Sequence, residues 1–376
     1  MRSVLRNLGI PDHPGLAYDV WADVQDDTGE IADKQLDGWL ENLAGLGVSD
    51  DYAPAFERWK QSFADGCSQL AEMTLASRLL IGHGNASATD VGLTLHRTWG
   101  VPIIPGSALK GLLAQYVETL YGPELADRPP GDPALSDEEK ERARYQGVTW
   151  KARRIRFAAG EVYRALFGSP DAEGENGLGQ ADAARGAVIF HDALYIPDSV
   201  AEDKPLATDV LTVHQKAYYD DKGETTPSDY DSPNPVRFLT VRPRTKFLLA
   251  VGGPADWTEF AFGLLKQALS AWGVGGKTSL GYGRASASEF RGVTVRPHVD
   301  SEVIASFSAW LNKPTGDSPR NRLKQVRADW FYRLRSLSLA EREAAADLIR
   351  NNVRRSKIGK ETDQLIDELL SPVCWA

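Results

Sequence analysis

Two cysteines in 376 residues, Cys67 and Cys374, leave the chain without a disulfide framework or a thiolate metal site. The six histidines are scattered, so no zinc-ligand spacing is legible, and the sequence predicts no metal and no cofactor. No apolar run approaches the roughly eighteen residues of a membrane span, and residues 1–10 lack the long apolar core of a secretory leader. The expectation is a cytoplasmic protein. Positive charge is also scarce, with 43 Lys and Arg against 52 Asp and Glu and a net charge of −9. That balance excludes a protein that coats nucleic acid non-specifically, and it confines any RNA contact to local clusters of Lys and Arg.

The charge is unevenly spread. Residues 1–66 hold 13 acids and 5 bases, residues 67–290 hold 28 and 23, and residues 291–376 hold 11 and 15. This divides the chain into an acidic extension (1–66), a main domain (67–290) with an insertion at 122–185, and a basic tail (291–376). In the extension, Trp39, Leu40, Leu43 and Leu46 predict a helix that stops near Gly45 or Gly47. Phe56, Trp59 and Phe63 give a second helix an aromatic face. Such a layer either caps the main domain or docks a basic partner.

The main domain alternates in period. Residues 72–81 run at strand spacing, with Met73, Leu75, Ser77, Leu79 and Ile81 on one side. Leu109, Leu112, Leu113, Tyr116, Val117 and Leu120 then trace one helical face, with Ser107 placed as its N-cap. Strands follow at 187–196, 236–241 and 246–251, the last two joined by Arg242–Thr245 as a hairpin. Trp257, Phe260, Leu264, Leu265 and Trp272 mark a second amphipathic helix, and residues 284–290 leave as a strand. Without its insertions this is β-α-β-β-α-β, an α+β ferredoxin-like pattern. Residues 300–371 read as all-helical, with a capping box at Ser338 and Glu341.

Three stretches carry candidate chemistry. The first is Gly273-Val-Gly-Gly-Lys-Thr-Ser-Leu-Gly-Tyr-Gly-Arg284, five glycines, two cations and two hydroxyls in a loop between a helix and a strand. Glycine reaches turn conformations that point backbone N–H groups at an anion, so Gly273, Gly275, Gly276, Lys277, Thr278, Ser279, Gly281, Tyr282, Gly283 and Arg284 are candidate RNA ligands. A P-loop reading fails, because position 271 is alanine and because a P-loop follows a strand and opens a helix. The second is the start of the first helix, where Gly106, Ser107 and Lys110 would offer a phosphate site; a capped helix with a solvated lysine is the plain alternative. The third is the insertion's basic, aromatic patch of Arg142, Arg144, Trp150, Lys151, Arg153, Arg154 and Arg156, suited to single-stranded RNA, to a subunit contact, or to a solvated face.

One further group surrounds His214: Asp209, Lys216, Tyr218, Tyr219, Asp220 and Asp221. A positioned histidine can deprotonate the 2′-hydroxyl of RNA, so a ribonuclease that processes precursor RNA is one reading. A loop contact of His214 and Lys216 with RNA, and plain structure, are the others.

The glycine-rich run at 273–284 resembles the C-terminal glycine-rich loop of the RAMP superfamily of CRISPR effector subunits, and Ile104-Pro-Gly-Ser-Ala-Leu-Lys-Gly111 resembles its first-helix motif. Asp209-Val-Leu-Thr-Val-His-Gln-Lys-Ala-Tyr-Tyr219 with Pro233-Asn-Pro-Val-Arg-Phe-Leu-Thr-Val241 is similar to the sixth-subunit family of type III-B (Cmr) complexes. The resemblance spans about residues 67–290. It implies an RRM-like, Cas7-type fold and a non-catalytic subunit that binds guide RNA (crRNA) and its complementary target RNA in antiviral defence. The implied partners are a repeated Cas7-like backbone subunit, a small helical subunit and another RAMP subunit near the guide 3′ end.

Overall fold

In a computed structural model the described residues are 11–20, 33–64, 66–85, 87, 91–122, 128–176, 178–213, 218, 223, 224, 226, 234–295, 302–353 and 359–371. The central sheet is antiparallel, with Arg291–Val293, Ser68–Thr74, Lys246–Gly252 and Ala193–Tyr195 side by side and Ile103–Ile104 on the far edge. Counted along the chain, the four main strands lie in the order 4-1-3-2, with Gly106–Tyr121 and Ala255–Ala271 as the connecting helices. This is the ferredoxin-like α+β arrangement that the alternation of periods predicts.

Lys246–Gly252 is buried at six consecutive positions, which an apolar run achieves only where both faces of the strand are covered. Phe247 and Leu249 are fully buried there, each contributing about 2 kcal/mol relative to exposure. The acidic N-terminal segment is built into the same core, since Tyr18, Trp39, Leu40, Leu43, Tyr52 and Phe56 are all buried in it. Helix Asp33–Ala44 ends just before Gly45, and the Tyr52 hydroxyl of helix Tyr52–Gln61 donates to the Tyr195 carbonyl at 2.6 Å. The segment therefore packs as a layer on the main domain.

Three expectations about strands are corrected. Asn234–Val241 does not pair with Lys246–Gly252 as a hairpin; it pairs along its whole length with Leu206–Val213, forming a separate two-stranded arm. The reason is the chain beyond Ser68–Thr74, which crosses between the two would-be partners. Leu75 N–H donates to Thr245 O at 3.0 Å, and Leu79 and Val241 exchange hydrogen bonds of 3.1 and 2.9 Å. The strand expected over 72–81 consequently ends at Thr74, and residues 76–78 bend away. The strand expected over 284–290 reduces to one bridge, Ala285 to Leu75, before pairing resumes at Arg291–Val293.

Residues 302–353 and 359–371 form helices with a buried cluster of their own, including Phe307, Val326, Trp330, Ile349 and Leu365. Ser338 N–H donates to the Glu341 carboxylate at 2.9 Å at the start of Leu339–Asn352, as the capping pattern predicts. Among the described residues no helix is long and apolar enough to cross a membrane.

Candidate nucleic-acid interface

Helix Ala255–Ala271 delivers the chain to the glycine-rich loop at the end of the sheet where Ser68–Thr74 finishes. The loop lies against residues 76–80. Gly283 N–H donates to Arg78 O and Gly276 N–H to Leu80 O, each at 2.7 Å, while Arg284 N–H reaches Ser77 Oγ at 3.1 Å. These contacts explain the glycines. A β-carbon at Gly283 would stand 1.9 Å from Val274 O, and one at Gly275 would stand 2.4 Å from Leu80 O, and both residues have positive φ. Gly273 N–H is also used, bonding Ala268 O at 3.1 Å. Much of the loop's polar backbone is thus committed to its own fold.

What is left over is concentrated in one turn. Among the described residues the amides of Lys277, Thr278 and Ser279 have no hydrogen-bond partner, and Lys277 itself sits in the left-handed region at φ 58°. Lysine pays strain there that glycine would not, so the turn holds a cation beside three open N–H groups at some cost. Ser279 and Arg284 are exposed, Gly281 has open space around it, and neither Lys277 nor Arg284 has an acidic partner among the described residues.

Tyr282 behaves differently. Its ring packs against Leu80, Val91 and Phe238, and its hydroxyl donates to Asp209 Oδ2 at 2.8 Å. Burial, aided by the hydrogen bond to the Asp209 carboxylate, pushes its pKa up to about 12. Arg78 Nε stands 3.2 Å from the same Asp209 oxygen, and its Nη1 donates to Thr208 O at 3.1 Å and Thr240 Oγ1 at 3.3 Å. Arg78, Asp209 and Tyr282 thereby latch the loop to the arm. The alternation over residues 72–81 puts Arg78 on the strand face opposite Ser77 and Leu79, and sequence proximity groups Asp209 with His214; only the pairing of 206–213 with 234–241 brings Arg78, Asp209 and Tyr282 together. His214 and Lys216 lie outside the described residues.

The first-helix motif is built otherwise than expected. Pro105 is the N-cap residue, not Ser107, which falls in the first turn with its side chain exposed. Gly106 is buried and its N–H donates to Asp192 Oδ1 at 2.7 Å, because a proline cap has no side-chain oxygen and the connection between strands 189–190 and 193–195 supplies one. His96 stands near this carboxylate, its imidazole pushed towards the neutral form by burial. Lys110 is exposed and without an acidic partner among the described residues. Gly106 abuts Phe190, which pairs with Val251 near the beginning of Ser68–Thr74. The glycine-rich loop lies beyond the other end of that strand, whose length is about 20 Å. The two motifs are separate places, not one pocket.

The family model of the RAMP superfamily matches residues 72–286, a span that contains both motifs and the latch. The chain belongs to the RAMP superfamily. This RAMP protein is 33% identical over 256 residues to the CRISPR system Cmr subunit Cmr6 of Pyrococcus furiosus, covering 61% of the present chain and 72% of the relative. The crystal structure of Cmr6 from Pyrococcus furiosus matches with 31% identity and a TM-score of 0.33, over 58% of this chain and 96% of that one. A chain in the cryo-EM structure of the type III-B Cmr-beta complex bound to cognate target RNA matches at 17% identity and TM-score 0.44, over 71% and 77%.

In the insertion of this RAMP chain, the basic patch separates into used and unused cations. Arg144 is held by Glu141 and Glu161 at 2.8 and 2.6 Å, and Arg142 reaches Gly122 O at 3.4 Å. Arg156 is bound twice by Glu175 at 3.0 and 2.9 Å, with Lys151 at 3.7 Å from the same carboxylate. The hydrogen bond from Arg156 holds the Glu175 carboxyl below its ordinary value. Arg153 and Arg154 are exposed and without partners among the described residues.

Proposed function

We infer that this chain is a guide-RNA-binding subunit of a type III-B CRISPR effector ribonucleoprotein, and that it holds RNA without cutting it. The observation that carries this reading is the Lys277–Thr278–Ser279 turn. Three open amides, a strained lysine and two hydroxyls make a site for a phosphate, in a RAMP-superfamily chain whose relative is a named Cmr subunit. Arg284 adds charge at the loop's exit, and Ser107 and Lys110 form a second hold at the far end of the central strand. With the Gly106 amide taken by Asp192, that second hold works through side chains. An extended single strand can touch both places, whereas a compact ligand cannot. Asp209, the member of the His214 group on a described strand, has its carboxylate engaged by Arg78 and Tyr282, which favours binding over acid–base chemistry. The repeated backbone subunit, a small helical subunit and another RAMP subunit near the guide 3′ end are the neighbours this role calls for.

Binding of a labelled oligoribonucleotide across a salt series tests the reading. Lys277→Ala and Lys110→Ala should each weaken binding uniformly across sequences and shallow the log K against log salt slope by about 0.7. Unchanged affinity and slope in both variants would reject it. Specific cleavage of repeat RNA that disappears in His214→Ala would replace it with the nuclease reading.

A further inference from the structure

The hairpin Thr149–Lys151 with Arg154–Phe157 carries side chains that the fold leaves idle. Its two turn residues, Ala152 and Arg153, have φ values of 50° and 67°. Two-residue turns of this handedness match the twist of paired strands, but they favour Asn-Gly, because a β-carbon makes the left-handed region costly. Joining two strands does not require an arginine there.

The hairpin is also held rigidly. Phe157 is buried beneath it, Arg156 lies 4.6 Å over that ring, and the same guanidinium is fixed by Glu175. Its base is pinned to the last turns of Gly106–Tyr121, where Tyr145 packs on Tyr121 at 5.5 Å and Gly147 N–H meets the Glu118 carboxylate at 3.2 Å. Outward, the Trp150 side chain stands 61% exposed among cations. Pairing puts Trp150 with Ile155 on one face and Lys151 with Arg154 on the other, and Arg153 occupies the tip between them. Glu175, the acid that faces the hairpin, is already engaged.

We propose that this hairpin is a third single-strand RNA contact, with Trp150 stacking on a base and Arg153 and Arg154 holding the flanking phosphates. Every base presents a π-face, and an exposed indole beside free guanidinium groups is the chemistry that captures it. An apolar protein partner would call for a cluster of exposed apolar side chains, and around Trp150 the exposed neighbours are Lys151, Ala152, Arg153 and Arg154. Position supports the same occupant. Tyr116, on the helix that carries the hairpin, packs at 5.1 Å on Trp272, directly before the glycine-rich loop. Hairpin and loop thus share one end of the helix pair, and one strand leaving the loop meets the hairpin. The proposal rests on the RNA-binding reading and extends it to a place outside both first-named motifs.

The test measures binding of a labelled, unstructured oligoribonucleotide to the full chain, comparing Trp150→Ala, Trp150→Phe, the double variant Arg153→Ala/Arg154→Ala, and Lys277→Ala. Trp150→Ala should weaken binding about tenfold, and Trp150→Phe should restore most of it. The double variant should shallow the salt slope by about 1.4. All four should melt with the wild type. Unchanged affinity and slope in Trp150→Ala and the double variant would overturn the proposal. So would intact RNA binding combined with loss of other Cmr subunits on copurification, which would make the hairpin a protein interface. If Lys277→Ala alone has no effect, the loop reading fails and the hairpin stands.

Discussion

The glycine-rich loop and the insertion hairpin both have the composition of anion sites in sequence, and the fold leaves opposite kinds of group available in each. In the loop, the motif's density is mostly internal: Gly273, Gly276 and Gly283 donate to neighbouring carbonyls, and three open amides remain in one turn. In the hairpin no glycine cradle is present, and what remains available is side chains: one indole and two guanidinium groups. The loop is therefore fixed by backbone geometry and sensitive to a β-carbon at its closely packed glycines, Gly275 and Gly283. The hairpin is sensitive to side-chain chemistry and tolerant of backbone neighbours. A rich motif does not by itself say how many of its groups are free.

Substitutions in the loop probe the first half of that contrast. Gly283→Ala should be the most damaging, costing about 3 kcal/mol, because the new carbon would stand 1.9 Å from Val274 O at φ 69°. Chemical denaturation would show the loss, and RNA binding would fall with it. Gly281→Ala should cost only about 1 kcal/mol, since φ is 91° but nothing lies within 4 Å of the added carbon. Equal costs at the two positions would mean that the close approach of Gly283 to Val274 does not shape the loop.

A smaller effect concerns the latch. Tyr282 holds its proton above the ordinary value of 10, because burial and Asp209 disfavour a phenolate there. The neutral hydroxyl therefore stabilises the fold fully below pH 10, and that contribution disappears as pH rises from 10 towards about 12. Tyr282→Phe should remove this part of the alkaline loss, so its stability against pH should fall less steeply than the wild type above pH 10. Parallel profiles for the two proteins would show that the latch does not depend on the hydroxyl.

The ferredoxin-like order was legible because it rests on local periodicity: the faces of Gly106–Tyr121 and Ala255–Ala271 and the apolar run of Lys246–Gly252 repeat at distinct intervals. What was not legible depends on contacts between distant segments. Arg242–Thr245 has the form of a hairpin turn, and nothing near it in sequence announces that residues 75–79 pass between the strands it joins. Ser107 has the composition of an N-cap, but helix start is set by backbone angles, and Pro105 has them. The spent cations of the insertion fall in the same class. Glu161 and Glu175 lie 17 and 19 residues from Arg144 and Arg156, so only the folded insertion reveals which charges remain. Arg78 with Asp209, 131 positions apart, could be found only through the fold.

The carboxylate of Asp192 on Gly106 N–H has a further meaning for any anion that approaches that helix. It is a tethered competitor, present at an effective concentration that no free ion matches. On the RNA-binding reading proposed above, a small anion would meet that carboxylate at the helix start, and a phosphate would be held beside it only through Ser107 and Lys110 once the rest of its strand is anchored elsewhere. On the same reading, the first-helix motif would then discriminate by length, engaging a polymer already held at the glycine-rich loop in preference to a fragment.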